Sequence, residues 1–197
     1  SSLANIDLMF LRKGKKFLTN EELEDAVKSM GIIDDWDLSI NDNTSRQTVY
    51  DICHSVRSQV RQDPDKDFLV IIDYLQLIKT DKNISRHDLQ IGEITRELKL
   101  LAKELNIPII LISQLNRSVE NRTDKRPLMS DLRDSGNIEQ DADVILLLHR
   151  DDCYERDSEN KNIIEVNIAK QRNGPVGAVE LLFKKEAGKF LDLAKCS

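Results

Sequence analysis

The sequence predicts an α/β fold: a mostly parallel central sheet flanked by helices, with an antiparallel C-terminal extension. Three observations carry this reading. Phe68 to Asp73 and Ile107 to Ser113 are continuous apolar, β-branched runs of the kind found where both faces of a parallel strand are buried. Between them Ile91, Ile94, Leu98, Leu101 and Leu105 recur every three or four residues, the stripe of a crossover helix in a βαβ unit. Further on, Ile163 to Lys170 and Val179 to Lys184 flank Asn173-Gly174-Pro175, a turn signal between two antiparallel strands.

The elements follow in order. Thr19-Asn20-Glu21-Glu22 fits a capping box, with Leu23, Ala26, Val27 and Met30 at helical spacing and Gly31 as the expected stop. A short extended piece is expected near Leu38 and Ile40. A second helix then runs from about Ser45, with Val49, Ile52, Cys53, Val56 and Val60 along one stripe. The strand at Phe68, the long helix and the strand at Ile107 come next. A polar loop leads to a third strand, Val144 to His149, and Asp151 to Lys161 reads as a polar, mobile loop.

Composition bounds the function. The chain has 197 residues and a net charge of −6 with 40% hydrophobic residues, which suits one globular domain over residues 1–197 and excludes a generally disordered chain. The longest apolar runs are five residues, far short of the roughly 20 needed to cross a bilayer. No membrane partner is therefore expected, and with no signal-peptide pattern the protein reads as cytoplasmic. Cys53, Cys153 and Cys196 are odd in number and far apart, so they read as structural thiols. His54, His87 and His149 lack metal-binding spacing. The acidic balance confines any nucleic-acid contact to a local surface.

Asp73 ends a strand, and in open α/β sheets ligands lie beyond the carboxyl ends of strands. Val70-Ile71-Ile72-Asp73 thus has the form of a Walker B motif, whose aspartate holds Mg2+ through water; a turn-starting Asp is the plainer alternative. Gln114 falls at the same rim, where an amide can orient water or sense a γ-phosphate, or simply bond its own loop. The loop from Leu115 to Asp134 is an ordinary solvated loop by charge, until Arg133-Asp134-Ser135-Gly136 sets a guanidinium beside a flexible glycine segment able to meet phosphate oxygens. Lys170 and Arg172 sit at the tip of the later hairpin, suited either to reaching another molecule's phosphoryl group or to guarding an edge against aggregation.

Taken together, Ile71 to Leu77, Ile112 to Arg117, Asp124 to Pro127, Ser130 to Gly136, Ile138 to Asp143 and Ala169 to Gly177 resemble, in order, the motifs of the bacterial and phage replicative DNA helicases of the DnaB family. The resemblance implies a RecA-like motor domain that assembles as a homo-hexamer, uses ATP and Mg2+, moves on single-stranded DNA and unwinds duplex at the replication fork. It also implies a helicase loader and a primase as partners, and a place in the bacterial cytoplasm. Residue by residue, Asp73 matches the Walker B aspartate and Gln114 the residue coupling the γ-phosphate to the DNA loops. Arg133, Asp134 and Gly136 match the loop contacting the DNA backbone. Lys170 and Arg172 match the basic pair, including the arginine finger, that enters the neighbouring subunit's ATP site.

One motif of that family is missing. A phosphate-binding loop needs Gly-x-x-x-x-Gly-Lys-Ser/Thr; at Gly14-Lys15 the next residue is Lys16, and Met9 stands where the first glycine is required. The family's catalytic glutamate, which lies just after that loop, is likewise unassigned. Either the chain is an N-terminally incomplete piece of a working motor, inactive by itself, or it is a relative that has lost the loop. The opening at Ser1 without Met, and the joint retention of Asp73, Gln114 and Arg172, favour the first. The competing functions are a non-catalytic RecA-like module for ring assembly or loader binding, and another RecA-like ATPase, of the recombinase or clock type, whose Arg133 to Gly136 does not touch DNA.

Overall fold

The computed structural model describes residues 1–14, 17–42, 47–80, 86–132, 135–155 and 158–193. Among them the helices are α1 (Leu8–Lys13), α2 (Asn20–Asp34), α3 (Val49–Gln62), α4 (His87–Leu105) and α5 (Ser135–Asp141). The strands are β1 (Val70–Ile72), β2 (Ile109–Leu111), β3 (Val144–His149), β4 (Ile163–Gln171), β5 (Gly177–Lys184) and β6 (Lys189–Asp192). The chain divides into two compact units. One comprises Ser1–Asn41, Leu148–Asn167 and Gly177–Ser197; the other comprises Asp42–Leu147 and Ile168–Val176.

The second unit holds the expected βαβ crossover. β1 and β2 pair in parallel, with Val70 opposite Ile109, Ile71 opposite Ile110 and Ile72 opposite Leu111, and α4 connects them. Its stripe is buried as the spacing predicts: Ile91, Ile94, Leu98 and Leu101 are all at most 4% exposed. Asn106, in the left-handed region at φ 53°, ends the helix, a role its short polar side chain tolerates. α3 joins the same core through Val49 and Cys53, and burial raises the Cys53 thiol pKa. The expected start near Ser45 lies outside the described residues. The cap is Thr48, whose hydroxyl accepts from the Asp51 N–H at 3.2 Å while the Asp51 carboxylate accepts from the Thr48 N–H at 2.9 Å.

The expectation that the first two strands are buried on both faces fails. Ile71 and Ile110, opposite one another, are 61% and 49% exposed, while the other face packs on the core through Ile72, Ile109 and Leu111. Sequence reads the β-branched run correctly as strand. It does not report whether a second layer of this chain covers the outer face, and among the described residues none does. β3 shows the same alternation within this unit: Ile145 and Leu147 are buried, Val144 and Leu146 about half exposed.

The other unit carries α1, α2, β5 and β6. The capping box predicted at Thr19 and Glu22 forms, with both hydrogen bonds present. The helix does not stop at Gly31 but continues to Asp34, and the Gly31 carbonyl still accepts from the Asp35 N–H at 3.2 Å. Its apolar residues are not core: Val27 is 61% and Met30 68% exposed. The segment near Leu38 and Ile40 forms no strand. The second sheet has the order β3-β4-β5-β6, and it ends antiparallel, with Leu182 opposite Leu191 and Phe183 opposite Phe190. The stretch after β3, expected to be mobile, is tied at its described ends: Asp151 accepts from His149 at 2.7 Å and from Asn160 at 3.0 Å. Cys53 and Cys153 are free thiols, and Cys196 lies outside the described residues. No helix among the described residues is long and apolar enough to cross a membrane.

Candidate functional site

Asp73, Gln114, Gly136, Lys170 and Arg172 all belong to the unit built on α4. Asp73 follows β1 directly and is exposed. The parallel pairing of β1 with β2 carries past the strand ends, as the Ile112 N–H donates to the Ile72 carbonyl at 3.0 Å and the Leu75 N–H to the Ile112 carbonyl at 2.8 Å. Gln114, also exposed, therefore lies at the same carboxyl rim as Asp73. The fully buried Leu75 fixes the 3-10 turn Leu75–Leu77 in the core.

That turn contributes a residue the sequence reading passed over. Gln76 accepts from the backbone N–H of Gln114 at 3.2 Å, and its Nε2 donates to the Gln114 carbonyl at 3.3 Å and to Ser113 Oγ at 3.1 Å. Its place three residues after the strand-end Asp was the available signal, but the partner, 38 residues distant, was not visible.

The loop after Gln114 is not the plain solvated loop its charges suggest. Asp131, only 5% exposed, takes two hydrogen bonds from the Arg122 guanidinium at 2.8 and 3.3 Å and one from the Leu128 N–H at 2.7 Å. A carboxylate desolvated to this degree is sustained by such a fork and by backbone donation. Leu115 and Leu132 form an antiparallel bridge, which closes the loop at its base. Arg133 and Asp134 lie outside the described residues. Gly136, expected in a flexible segment, is exposed in the first turn of α5 with open space where a Cβ would lie.

α5 is fastened to α4 along its length. Asn137 donates to the Asp88 carbonyl at 2.9 Å, Thr95 donates to the Asp141 carboxylate at 2.6 Å, and Lys99 bonds Asp143 just beyond the helix end. Gly92 permits this approach, since a Cβ there would fall 2.9 Å from the Asn137 amide.

The basic pair is held differently from the projecting arrangement expected. Lys170 donates to the carbonyls of Glu139 and Ala142, and Arg172 donates to the Gln140 carbonyl at 2.6 Å. The reason is electrostatic: the last carbonyls of a helix have no partner within it and carry partial negative charge. Arg172 also stands 3.5 Å from Asp143. The hydrogen bond from Lys99 is the main reason the Asp143 carboxyl titrates below its ordinary range, with the charges of Lys99, Arg172 and Lys170 adding to it against a smaller opposing effect of burial.

Chemically, the strand-end rim offers one exposed carboxylate beside one exposed amide. Among the described residues no three metal-ligating side chains cluster. Gly14 ends α1 at φ 85°, whereas a phosphate cradle presents its amides at a helix start.

The sequence model of the family described as DnaB-like helicase C terminal domain matches residues 1–192. The replicative DNA helicase DnaB of Geobacillus stearothermophilus is 48% identical over 97% of the chain and 41% of its own length. The replicative DNA helicase DnaC of Bacillus subtilis (strain 168) is 44% identical over the same shares. A solved structure of a DnaB-like replicative helicase, described with its interactions with primase, superposes with a TM-score of 0.93 at 43% identity over 98% of this chain and 46% of that one. A solved ATPase domain matches with a TM-score of 0.92 at 43% identity, over 98% of this chain and 67% of that one. The chain spans about two-fifths of the length of these curated relatives. The fold is thus the RecA-like α/β fold that the motif order implied, and the chain belongs to the DnaB-like helicase C terminal domain family.

Proposed function

We propose that this chain is part of the ATP-driven motor of a ring-forming replicative DNA helicase, which moves on single-stranded DNA and unwinds duplex at the fork. The observation that carries the proposal is the placing of Asp73 and Gln114 at the carboxyl rim of two hydrogen-bonded parallel strands in a chain of this family. The chemistry supplied by bound ATP and Mg2+ is phosphoryl transfer to water. Asp73 holds the ion through water, Gln114 senses the γ-phosphate, and Arg133, Asp134 and Gly136 meet the DNA backbone. Lys170 and Arg172 serve a neighbouring protomer of the homo-hexamer, where a cation supplied in trans makes hydrolysis depend on a correctly placed neighbour. A helicase loader and a primase are the expected partners, in the bacterial cytoplasm.

The same reading takes residues 1–197 as one motor domain, N-terminally incomplete, with the phosphate cradle and the catalytic glutamate on another part of a longer protein. Two findings support it. The match extends over 67% of a solved ATPase domain, and the outer face of β1 and β2 is apolar and open at Ile71 and Ile110, a surface that burial elsewhere in such a domain stabilises. The isolated chain is accordingly expected to be inactive. A non-catalytic module for ring assembly or loader binding is not favoured by relatives named as replicative helicases.

The test is steady-state ATP hydrolysis by the full-length protein with and without single-stranded DNA. Hydrolysis is expected to rise with DNA and to fall at least about a hundredfold in Asp73→Asn, given the weight of charge stabilisation in phosphoryl transfer. Wild-type turnover in that variant would sink the assignment.

A further inference from the structure

From the three hydrogen bonds of its amide we infer that Gln76 is a positioning residue: it fixes the backbone of Gln114 to the turn that follows Asp73, so that the two polar residues of the rim move as one body. The inference rests on the proposed role of Gln114.

The β1–β2 ladder ends at residues 72 and 112, and its last backbone bonds are Ile112 N–H to the Ile72 carbonyl and Leu75 N–H to the Ile112 carbonyl. Beyond them the chain leaves β1 in a 3-10 turn and no longer runs beside β2. A primary amide presents one acceptor and two donors in a plane, the pattern of a peptide group. Gln76 uses both: its Oε1 takes the Gln114 N–H at 3.2 Å, and its Nε2 reaches the Gln114 carbonyl at 3.3 Å and Ser113 Oγ at 3.1 Å. A side chain thus adds one rung to a parallel ladder. The rung is anchored from below, because Leu75, its neighbour in the turn, is fully buried.

Direction matters as much as contact. Each end of the Gln114 peptide environment is read by the complementary atom of the amide, so an isosteric carboxylate keeps the acceptor but sets an oxygen against the Gln114 carbonyl. Gln76→Glu therefore removes both donations of Nε2, to the Gln114 carbonyl and to Ser113 Oγ, at nearly constant shape and volume. Coupling energies between two sites commonly correspond to factors of about 5 to 150, and a link this short between the aspartate and the amide lies at the start of any such coupling.

The experiment uses the full-length helicase and compares Gln76→Glu, Gln76→Ala and Gln114→Ala. Hexamer formation is followed by sedimentation, and ATP hydrolysis is measured as kcat and KM with and without single-stranded DNA. Deuterium uptake is recorded for the peptide spanning Ile112 to Asn116. For Gln76→Glu the expected result is a hexamer whose stimulation by DNA falls about fivefold to tenfold, through kcat and not KM, with faster uptake in that peptide. Full stimulation in Gln76→Glu, together with its loss in Gln114→Ala, would overturn the inference while leaving the role of Gln114 standing. Full stimulation in Gln114→Ala would overturn the role of Gln114 itself, and the inference with it. Unchanged deuterium uptake in both Gln76 variants would show that the clasp does not hold that backbone, whatever the kinetics. If Gln76→Ala fails to assemble, the decision rests on Gln76→Glu, which keeps every non-hydrogen position of the side chain filled.

Discussion

At the carboxyl ends of β1 and β2 the side chains of Asp73 and Gln114 are exposed while the backbone beneath them is held, by the last ladder bonds and by the Gln76 amide. At the end of β4 the side chains themselves are engaged, with Lys170 and Arg172 bonded to the carbonyls that close α5. In the first arrangement the proposed ligand contacts would displace none of these backbone bonds. In the second, Arg172 would have to leave the helix end to take up the role proposed for it at a neighbour's phosphates. That seat combines the partial charge of the helix carbonyls with the full charge of Asp143, 3.5 Å away, so leaving it means giving up an ion pair as well as a hydrogen bond.

The largest expected effect is that of removing Arg172, the proposed finger. In the assembled full-length protein, Arg172→Ala is expected to lower kcat for ATP about a thousandfold or more, and turnover close to wild type would leave the helix seat as its whole role. Next in size is the platform beneath both corners. Leu101, 0% exposed in the core that α4 organises, is expected to cost about 2–5 kcal/mol as Leu101→Ala. Urea denaturation measures it, and a cost confined to one corner in activity assays would show that the two do not share a support.

The smallest effect is expected at Asp143. Asp143 touches Lys99 and Arg172 while half exposed, so Asp143→Asn should change stability by less than about 1 kcal/mol. Its folded pKa is lowered, and the sign follows: as pH falls the unfolded chain takes up this proton first. The contribution is thus present above the ordinary carboxylate range and is lost as pH falls through the lower folded value. Denaturation curves of wild type and Asp143→Asn should differ by a constant amount at neutral pH and converge only in acid below about pH 4. A difference that disappears between pH 6 and 8 would mean another group titrates.

The same two corners divide what was legible in the sequence. The α4 stripe, the β3 strand and the capping box at Thr19 rest on contacts within a few residues, and spacing reports those directly. The helix stripe of α2 looked equally convincing, yet Val27 and Met30 are exposed, because periodicity says which face is apolar and not what lies against it. Of the candidate site, Asp73 and Gln114 were visible as strand-end polar residues. Gln76, Asp131 with Arg122, and Asp143 were not, since each acts through a partner that spacing does not select.

By itself, then, the sequence determined the order and type of the main elements, the crossover between β1 and β2, and the positions of the polar residues at their ends. Local hydrogen bonding and hydrophobic periodicity are encoded residue by residue. Long-range packing set the rest: one face of β1 and β2 is open, Gln76 extends their ladder to Gln114, and Lys170 and Arg172 rest on the end of α5. These depend on groups tens of residues apart meeting within about 3 Å, the range at which a hydrogen bond exists at all.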